Sequence, residues 1–116
     1  MGVEAMTQAE LFTILESLGM PVAYAEFIGT TETPVPPPPF ITYQFAHSGD
    51  LMADNQNYVE ISNFQIELYT DNKDLAKETL VQNLLKSNRL PYSKTEVWIE
   101  SEKMRQVVYE IKITGG

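Results

Sequence analysis

An α+β fold, with one mostly antiparallel sheet and two helices packed on one of its faces, is predicted by three features of this 116-residue sequence. Two segments place apolar residues at helical spacing, five place them in β-type alternation, and the order is α-β-β-β-α-β-β. The length gives room for a single domain over residues 1–116, with disordered ends expected at 1–5 and 115–116.

The first helix announces itself at Thr7 and Glu10, whose spacing is that of a capping box. Leu11, Ile14, Leu15 and Leu18 then recur at helical intervals until Gly19, which stands where a left-handed cap belongs, and Pro21. Val22–Ile28 reads as a first strand and Phe40–Ala46 as a second. Between them the prolines at 34 and 36–39 fix φ and remove backbone donors, so Gly29–Pro39 is expected to be a stiff, extended loop. His47–Asn57 is polar and reads as a second long loop. The third strand, Tyr58–Thr70, changes phase: Val59 and Ile61 alternate, and Phe64, Ile66 and Leu68 continue one residue late. A period of two needs an extra residue there, which predicts a bulge near Ser62–Asn63. Asp71–Asp74 offers caps for a second helix with an apolar stripe of Leu75, Thr79, Leu80, Leu84 and Leu85, ending near Ser87–Asn88. Lys94–Glu100 and Arg105–Thr114 complete the sheet around a turn at Ser101–Lys103. The expected shared core is Leu11, Ile14, Leu15, Leu80, Leu84, Val107, Tyr109 and Ile111.

Charge is distributed unevenly. The net charge is −8, yet all eight basic residues follow position 72, while ten of the sixteen acids precede it. A first half without Lys or Arg argues against gripping nucleic acid, whose affinity rests on cations neutralising phosphates. An acidic surface serves solubility; the sharper reading is an oligomer in which an acidic face meets a basic face of the next subunit. Lys77, Lys86 and Arg89 are the candidate cations of such an interface, with Glu10 and Glu16 among the candidate acids.

No catalytic, cofactor-binding or metal-binding set emerges. Cysteine is absent, which removes disulfides, thiolate zinc sites and cysteine nucleophiles. His47 stands beside Ser48 and near Asp50, but neighbours in a chain rarely converge as nucleophile, base and orienter. Asp50, Asp54 and Asn55 lack the ligand alternation of an EF-hand, and Lys73 is incompatible with one starting at Asp71. Glu60 with Glu67, or Glu100 with Glu102, are better explained as solvent-facing strand acids than as a catalytic pair. Trp98 near Tyr92 and Tyr109 suits a core or interface better than a stacking platform. No apolar run approaches the roughly 20 residues of a membrane span, and no basic-then-apolar leader opens the chain, so neither membrane nor export is expected. The two long loops are the candidate interaction elements: Pro34, Pro36, Pro37 and Pro38 in one, Leu51, Met52, Asp54 and Asn55 in the other.

Several strings, in order, carry a family resemblance. They are Pro21–Val22–Ala23–Tyr24, the proline loop running into Phe40–Ile41–Thr42–Tyr43, Ala53–Asp54–Asn55, Gln65–Ile66–Glu67–Leu68–Tyr69–Thr70, and the tail from Ile99–Glu100–Ser101–Glu102–Lys103–Met104 to Val108–Tyr109–Glu110. Together they resemble the tail-completion, tail-terminator or head–tail joining proteins of siphophages and prophages of Gram-positive bacteria. The resemblance implies a protein without enzymatic activity that caps the tail tube and docks the head connector. It further implies a ring, typically hexameric, through which DNA passes without specific binding, in a virion assembled in the host cytoplasm. The rival from the residues alone is an acidic, DNA-mimicking inhibitor or another small binding module, which requires carboxylates regularly spaced on one exposed face.

Overall fold

The structure is a computed structural model that describes residues 4–48, 51–53, 56–59 and 61–114. Its element order is β1 (Glu4–Ala5), α1 (Gln8–Glu16), β2 (Val22–Tyr24), β3 (Phe40–Ser48), β4 (Leu51–Ala53), β5 (Gln56–Val59), β6 (Ile61–Thr70), α2 (Leu75–Ser87), β7 (Ser93–Ile99) and β8 (Met104–Thr114). The main sheet runs β1-β8-β6-β3-β2, with β7 also paired to β8, and β4 with β5 forms a separate two-stranded ribbon. Only β1 on β8 and β2 on β3 are parallel; the other pairings are antiparallel. None of the helices in the described residues is long and apolar enough to cross a membrane.

β6 and β8 form the centre. They pair over ten positions, from Ile61 opposite Thr114 to Thr70 opposite Arg105, without a register shift. Because side chains alternate across a strand, this pairing puts Phe64, Ile66 and Leu68 on the same face as Val107, Tyr109 and Ile111. Ile41 and Tyr43 of β3 extend that face, and Leu11, Leu15, Val81 and Leu85 of the two helices cover it in one buried cluster. We call this the front of the sheet. At its edge Tyr92 meets Tyr109 edge-on, with centroids 5.4 Å apart. Burial holds the Tyr109 hydroxyl well above the ordinary tyrosine range, where it donates to Gln82 Oε1 at 3.2 Å.

The ends of the helices follow local chemistry. Thr7 Oγ1 accepts from the Glu10 amide at 3.1 Å and Glu10 Oε1 accepts from the Thr7 amide at 2.8 Å, which is a complete capping box. Gly19 leaves α1 at φ +83°, a conformation that favours glycine. Asp74 caps α2 by accepting from the Lys77 amide, and Asn88 ends it by donating to the Leu84 carbonyl.

Five expectations change. The first strand stops at Tyr24, because Ala25 turns to φ +65° and the chain leaves the sheet edge. His47–Asn57 is not a loop: β3 continues through Ser48, and β4 and β5 pair as a hairpin inserted between β3 and β6. The phase change between Ile61 and Phe64 is not a bulge in β6. Val59 belongs to β5, and the extra residue lies on the partner strand, where Ala46 falls between the Phe45–Phe64 and His47–Asn63 pairs. Glu4–Ala5, expected within a disordered end, pair with Ile113–Thr114. Finally, the stripe of α2 is right at its end, where Leu85 is buried and Leu84 packs against the core, and out of phase at its start. Leu75 and Leu80 are 67% and 42% exposed, whereas Glu78, Val81 and Leu85 are buried.

Val81→Asp and Ile111→Asp each force an unpaired charge into the front cluster and are expected to unfold the domain, since such burial costs several kcal/mol. Leu80→Gln is expected to stay within about 0.5–1 kcal/mol of the parent. Thermal melts by circular dichroism check both; a Val81→Asp protein that melts like the parent rejects this phase of α2.

Candidate functional site

The candidate surfaces of the subunit are charged groups and exposed apolar side chains. On the front face β7 places Lys94 and Glu96, in register with Tyr109 and Val107, beneath the first turns of α2. Glu78 occupies the buried stripe of that helix, and its carboxylate is met from two sides, by Lys73 Nζ at 2.8 Å and Lys94 Nζ at 2.7 Å. Lys73 also reaches Glu96 at 2.6 Å, and Glu96 takes Arg105 Nη1 at 2.6 Å. The Arg105 guanidinium lies 5.5 Å from the centroid of Trp98, whose Nε1 donates to Glu100 at 2.9 Å; Glu100 in turn pairs with Lys103. This chain of charges ties the start of α2 to β7, β8 and the 3₁₀ turn Glu100–Glu102. Burial alone pushes the Glu78 carboxyl up, but the two lysines outweigh it and hold it below the ordinary glutamate value. Lys73 first and Arg105 second do the same for Glu96, and their carboxylates raise Lys73.

Its partners are all residues after position 72. Among the described residues no ion pair joins an acid of the first half to a base of the second. Among the described residues the charge asymmetry of the sequence is therefore not offset by ion pairs between the two parts of the chain. Of the three cations singled out by sequence, Lys86 and Arg89 sit together at the end of α2, with the Arg89 amide bonded to the Lys86 carbonyl. Lys77 lies nine residues earlier, half a rotation round the helix and about 13 Å along it, so it is not part of their patch. None of the three has an ion-pair partner among the described residues.

The proline loop closes on itself. A Cβ on Gly29 would sit 3.0 Å from the Val35 amide and Cγ2, so a larger residue there would need Val35 to give way by a few tenths of an ångström. Thr30 and Thr33 bond each other across the tip, at 2.9 Å in both directions. Phe27 anchors the base edge-on against Phe40, 5.2 Å away, on the back of the sheet. Pro34 and Pro37 are exposed, Pro36 and Pro38 half-buried, and the Pro38–Pro39 peptide is cis. Ile28, 81% exposed, and Val35 project from this braced loop. In the other candidate element Leu51 and Met52 belong to β4, while Asp54 and Asn55 lie outside the described residues.

Where chemistry was considered, the geometry separates its members. His47 and Ser48 are successive strand residues, opposite Asn63 and Ser62, and so point to opposite faces. Asp50 and Glu60 lie outside the described residues. Glu67 is buried on the back face, accepting from Thr42 Oγ1 at 2.5 Å and Gln44 Nε2 at 2.9 Å. Trp98 is exposed under Arg105, away from the Tyr92–Tyr109 pair. The described residues hold no cluster of three His, Asp or Glu suited to a metal. Sequence reasoning missed Glu78 and Ile28. The signal for Glu78 was available, as a lone acid three and seven residues before Val81 and Leu85.

The fold has a solved counterpart. A chain in a structure described as the virion of a native gene transfer agent (GTA) particle matches it with a TM-score of 0.55, over 88% of this chain and 84% of that one, at 14% identity. At that identity the likeness is one of fold. No family model and no curated protein sequence matches the chain.

The charge network gives a pH test. Glu78 and Glu96 are depressed when folded, so their stabilisation is whole above about 4.5, the ordinary value, and is lost as pH falls through their lower folded values. Glu78→Gln is expected to cost about 1–2 kcal/mol at pH 7, allowing for two partly exposed lysines, and much less at pH 3. Urea unfolding at both pH values measures the difference; an equal cost at each would show that the charge contributes nothing.

Proposed function

We propose that this chain is a non-enzymatic structural protein of a phage-type particle, acting at the head–tail junction. In this reading it caps the finished tail tube, joins it to the head-completion or connector protein, and works as a ring, six subunits by the resemblance, around the DNA channel. The observation that carries the reading is the fold shared, over 88% of the chain, with a component of a virion particle. The ordered resemblance of sequence segments to tail-completion proteins supports the finer placement.

Physical features of the subunit fit that role. All of its cations lie after position 72, whereas most acids outside the described ion pairs lie before it, which suits copies that meet through unlike surfaces. Closed rings arise from such heterologous contacts. The back of the sheet, away from the helices, carries Gln44, Gln65 and Glu110 in one register row, Lys112 in the next row on one side, and Gln106 two rows away on the other. Apart from Lys112 these groups carry no positive charge to neutralise phosphates, which suits a passage for DNA. A DNA-mimicking inhibitor draws less support, because Glu67 is buried and Glu78, Glu96 and Glu100 are tied to cations. These acids do not form a regular exposed row.

Deleting the gene from the phage or prophage that encodes it tests the reading. Filled heads and separate tails are expected in electron micrographs, with infectivity restored by adding the purified protein to the lysate. Joined, infectious particles without the gene would reject a role at this junction.

A further inference from the structure

Two surface features of the subunit, one projecting and one recessed, lie on opposite sides of the sheet. The projection is the tip of the proline loop. It is braced by the Gly29–Val35 approach, the Thr30–Thr33 bonds and the Phe27–Phe40 contact, and it holds Ile28 out with 81% of its surface exposed. A loop fixed by this many internal contacts holds Ile28, with Val35 48% exposed beside it, as a small apolar tip at a constant position, and covering that tip would be favourable. Residues 25–39 contain two acids, Glu26 and Glu32, and no base, and neither acid has an ion-pair partner among the described residues. Phe27 and Val35 adjoin Phe40, Thr42 and Tyr69, which places the projection on the back of the sheet.

The recess is a groove of about 360 Å³ in the helix layer, lined by Met6, Ala9, Glu10, Thr13, Ile14 and Asn88. Its apolar floor comes from Met6, Ala9 and Ile14. Asn88 lies between Lys86 and Arg89 in the chain, two cations without an ion-pair partner among the described residues; neither lines the groove, but both stand at the end of α2 beside it. Glu10, the one acid lining it, is turned to the Thr7 amide in the capping box. Apolar floor and basic rim match an isoleucine flanked by two glutamates.

We infer that the Ile28 projection of one copy docks in the Met6–Ala9–Ile14 groove of the next, with Glu26 and Glu32 facing Lys86 and Arg89. This rests on the ring reading and names its interface. Projection and groove are separated by the sheet, so they meet between molecules rather than within one. They are also unlike each other, so the contact is heterologous and propagates in one direction, which closes a ring when the rotation allows. The charge pairing joins first-half acids to second-half bases, the combination absent from the ion pairs of the subunit.

The absence of cysteine makes the contact directly testable. Ile28→Cys and Ala9→Cys both alter exposed side chains, and circular dichroism confirms that each variant folds. Mixed in equal amounts at high concentration, or assembled on tail tubes, and mildly oxidised, they are expected to give a disulfide heterodimer at least ten times more abundant than Ile28→Cys mixed with Leu75→Cys. In parallel, Glu26→Lys with Glu32→Lys is expected to weaken self-association measured by sedimentation about tenfold. Adding Lys86→Glu and Arg89→Glu in the same chain restores it. Cross-linking no greater than the Leu75 control, in assemblies that still show rings, overturns the inference and leaves the ring reading standing. Absence of both rings and cross-links under all of these conditions overturns both.

Discussion

The ladder between β6 and β8 is the constraint on which the rest of the molecule depends. Ten consecutive pairs without a slip decide, for every residue of the two longest strands, which face it occupies. A slip of β6 by one residue against β8 would exchange Ile66 and Leu68 with Gln65 and Glu67, placing a carboxylate under the helices. The penalty for that exchange fixes the register. Once it is fixed, β3 on one side and β7 on the other inherit their faces from it. Both helices then have a single apolar surface to cover, built from Ile41, Tyr43, Ile66, Leu68, Val107 and Tyr109. The back face is left to polar side chains and, in part, to the proline loop.

That division explains why α2 is held partly by charge. Toward β7 the front face ends in Lys94 and Glu96 rather than apolar residues, because β7 is an edge strand, and charged edges resist pairing with foreign strands. A helix laid over this edge needs partners for those groups. Glu78 supplies one in the middle of its buried stripe, and Lys73, just before the helix, links both acids. A buried carboxylate with two lysines is a poor source of net stability compared with a leucine, but it specifies how the helix is rotated about its axis. With Glu78 directed at Lys94, Val81 and Leu85 are committed to the core, and Leu75 and Leu80 are committed to solvent.

The same rotation shows why part of the fold was legible in the sequence and part was not. Alternation in Val107–Ile113 and the run Phe64–Leu68 reveal the central strands, because one face of each is buried and the other is not. The capping box at Thr7 and the glycine at 19 reveal α1, because those requirements are local. The phase of α2 was hidden, since counting apolar residues favours Leu75 and Leu80 over a glutamate whose partners stand 5 residues before and 16 after it in the chain. The β4–β5 hairpin was hidden as well. A ribbon held by backbone hydrogen bonds asks little of side-chain pattern, and asparagines and aspartates in that stretch read as loop. Ala46 took the bulge because the extra residue that a phase change requires can lie on either strand of a pair, and one strand's sequence does not say which. For the candidate surfaces, charge counting identified Lys86 and Arg89, whose partnerless state follows from their position at the exposed end of α2. It grouped Lys77 with them only because sequence distance conceals half a turn of helix. Ile28 gave no signal, being one apolar residue at the end of an apolar stretch; only the left-handed turn at Ala25 removes it from the sheet.

Charge accounting connects these observations to assembly. Lys73, Lys94, Lys103 and Arg105 are satisfied by Glu78, Glu96 and Glu100, all within the second half. The internal network therefore removes more positive than negative charge from the accessible surface, while the described first-half acids remain without cationic partners. A free subunit accordingly presents a mostly acidic surface with a few concentrated cations, chiefly Lys86 and Arg89. Like subunits in random orientations then repel one another, and the orientations that bring those cations to a neighbour's acids are the exceptions. Screening limits this selectivity to about 8 Å at physiological ionic strength, so it acts on close approach and chooses orientation more than it adds affinity. In the interface we infer, the lasting hold comes from apolar contact, and Ile28, the most exposed of the large hydrophobic side chains described, is its centre. Under that inference acidic repulsion and the apolar projection work together: the first keeps free subunits apart, and the second gives the permitted encounter its direction.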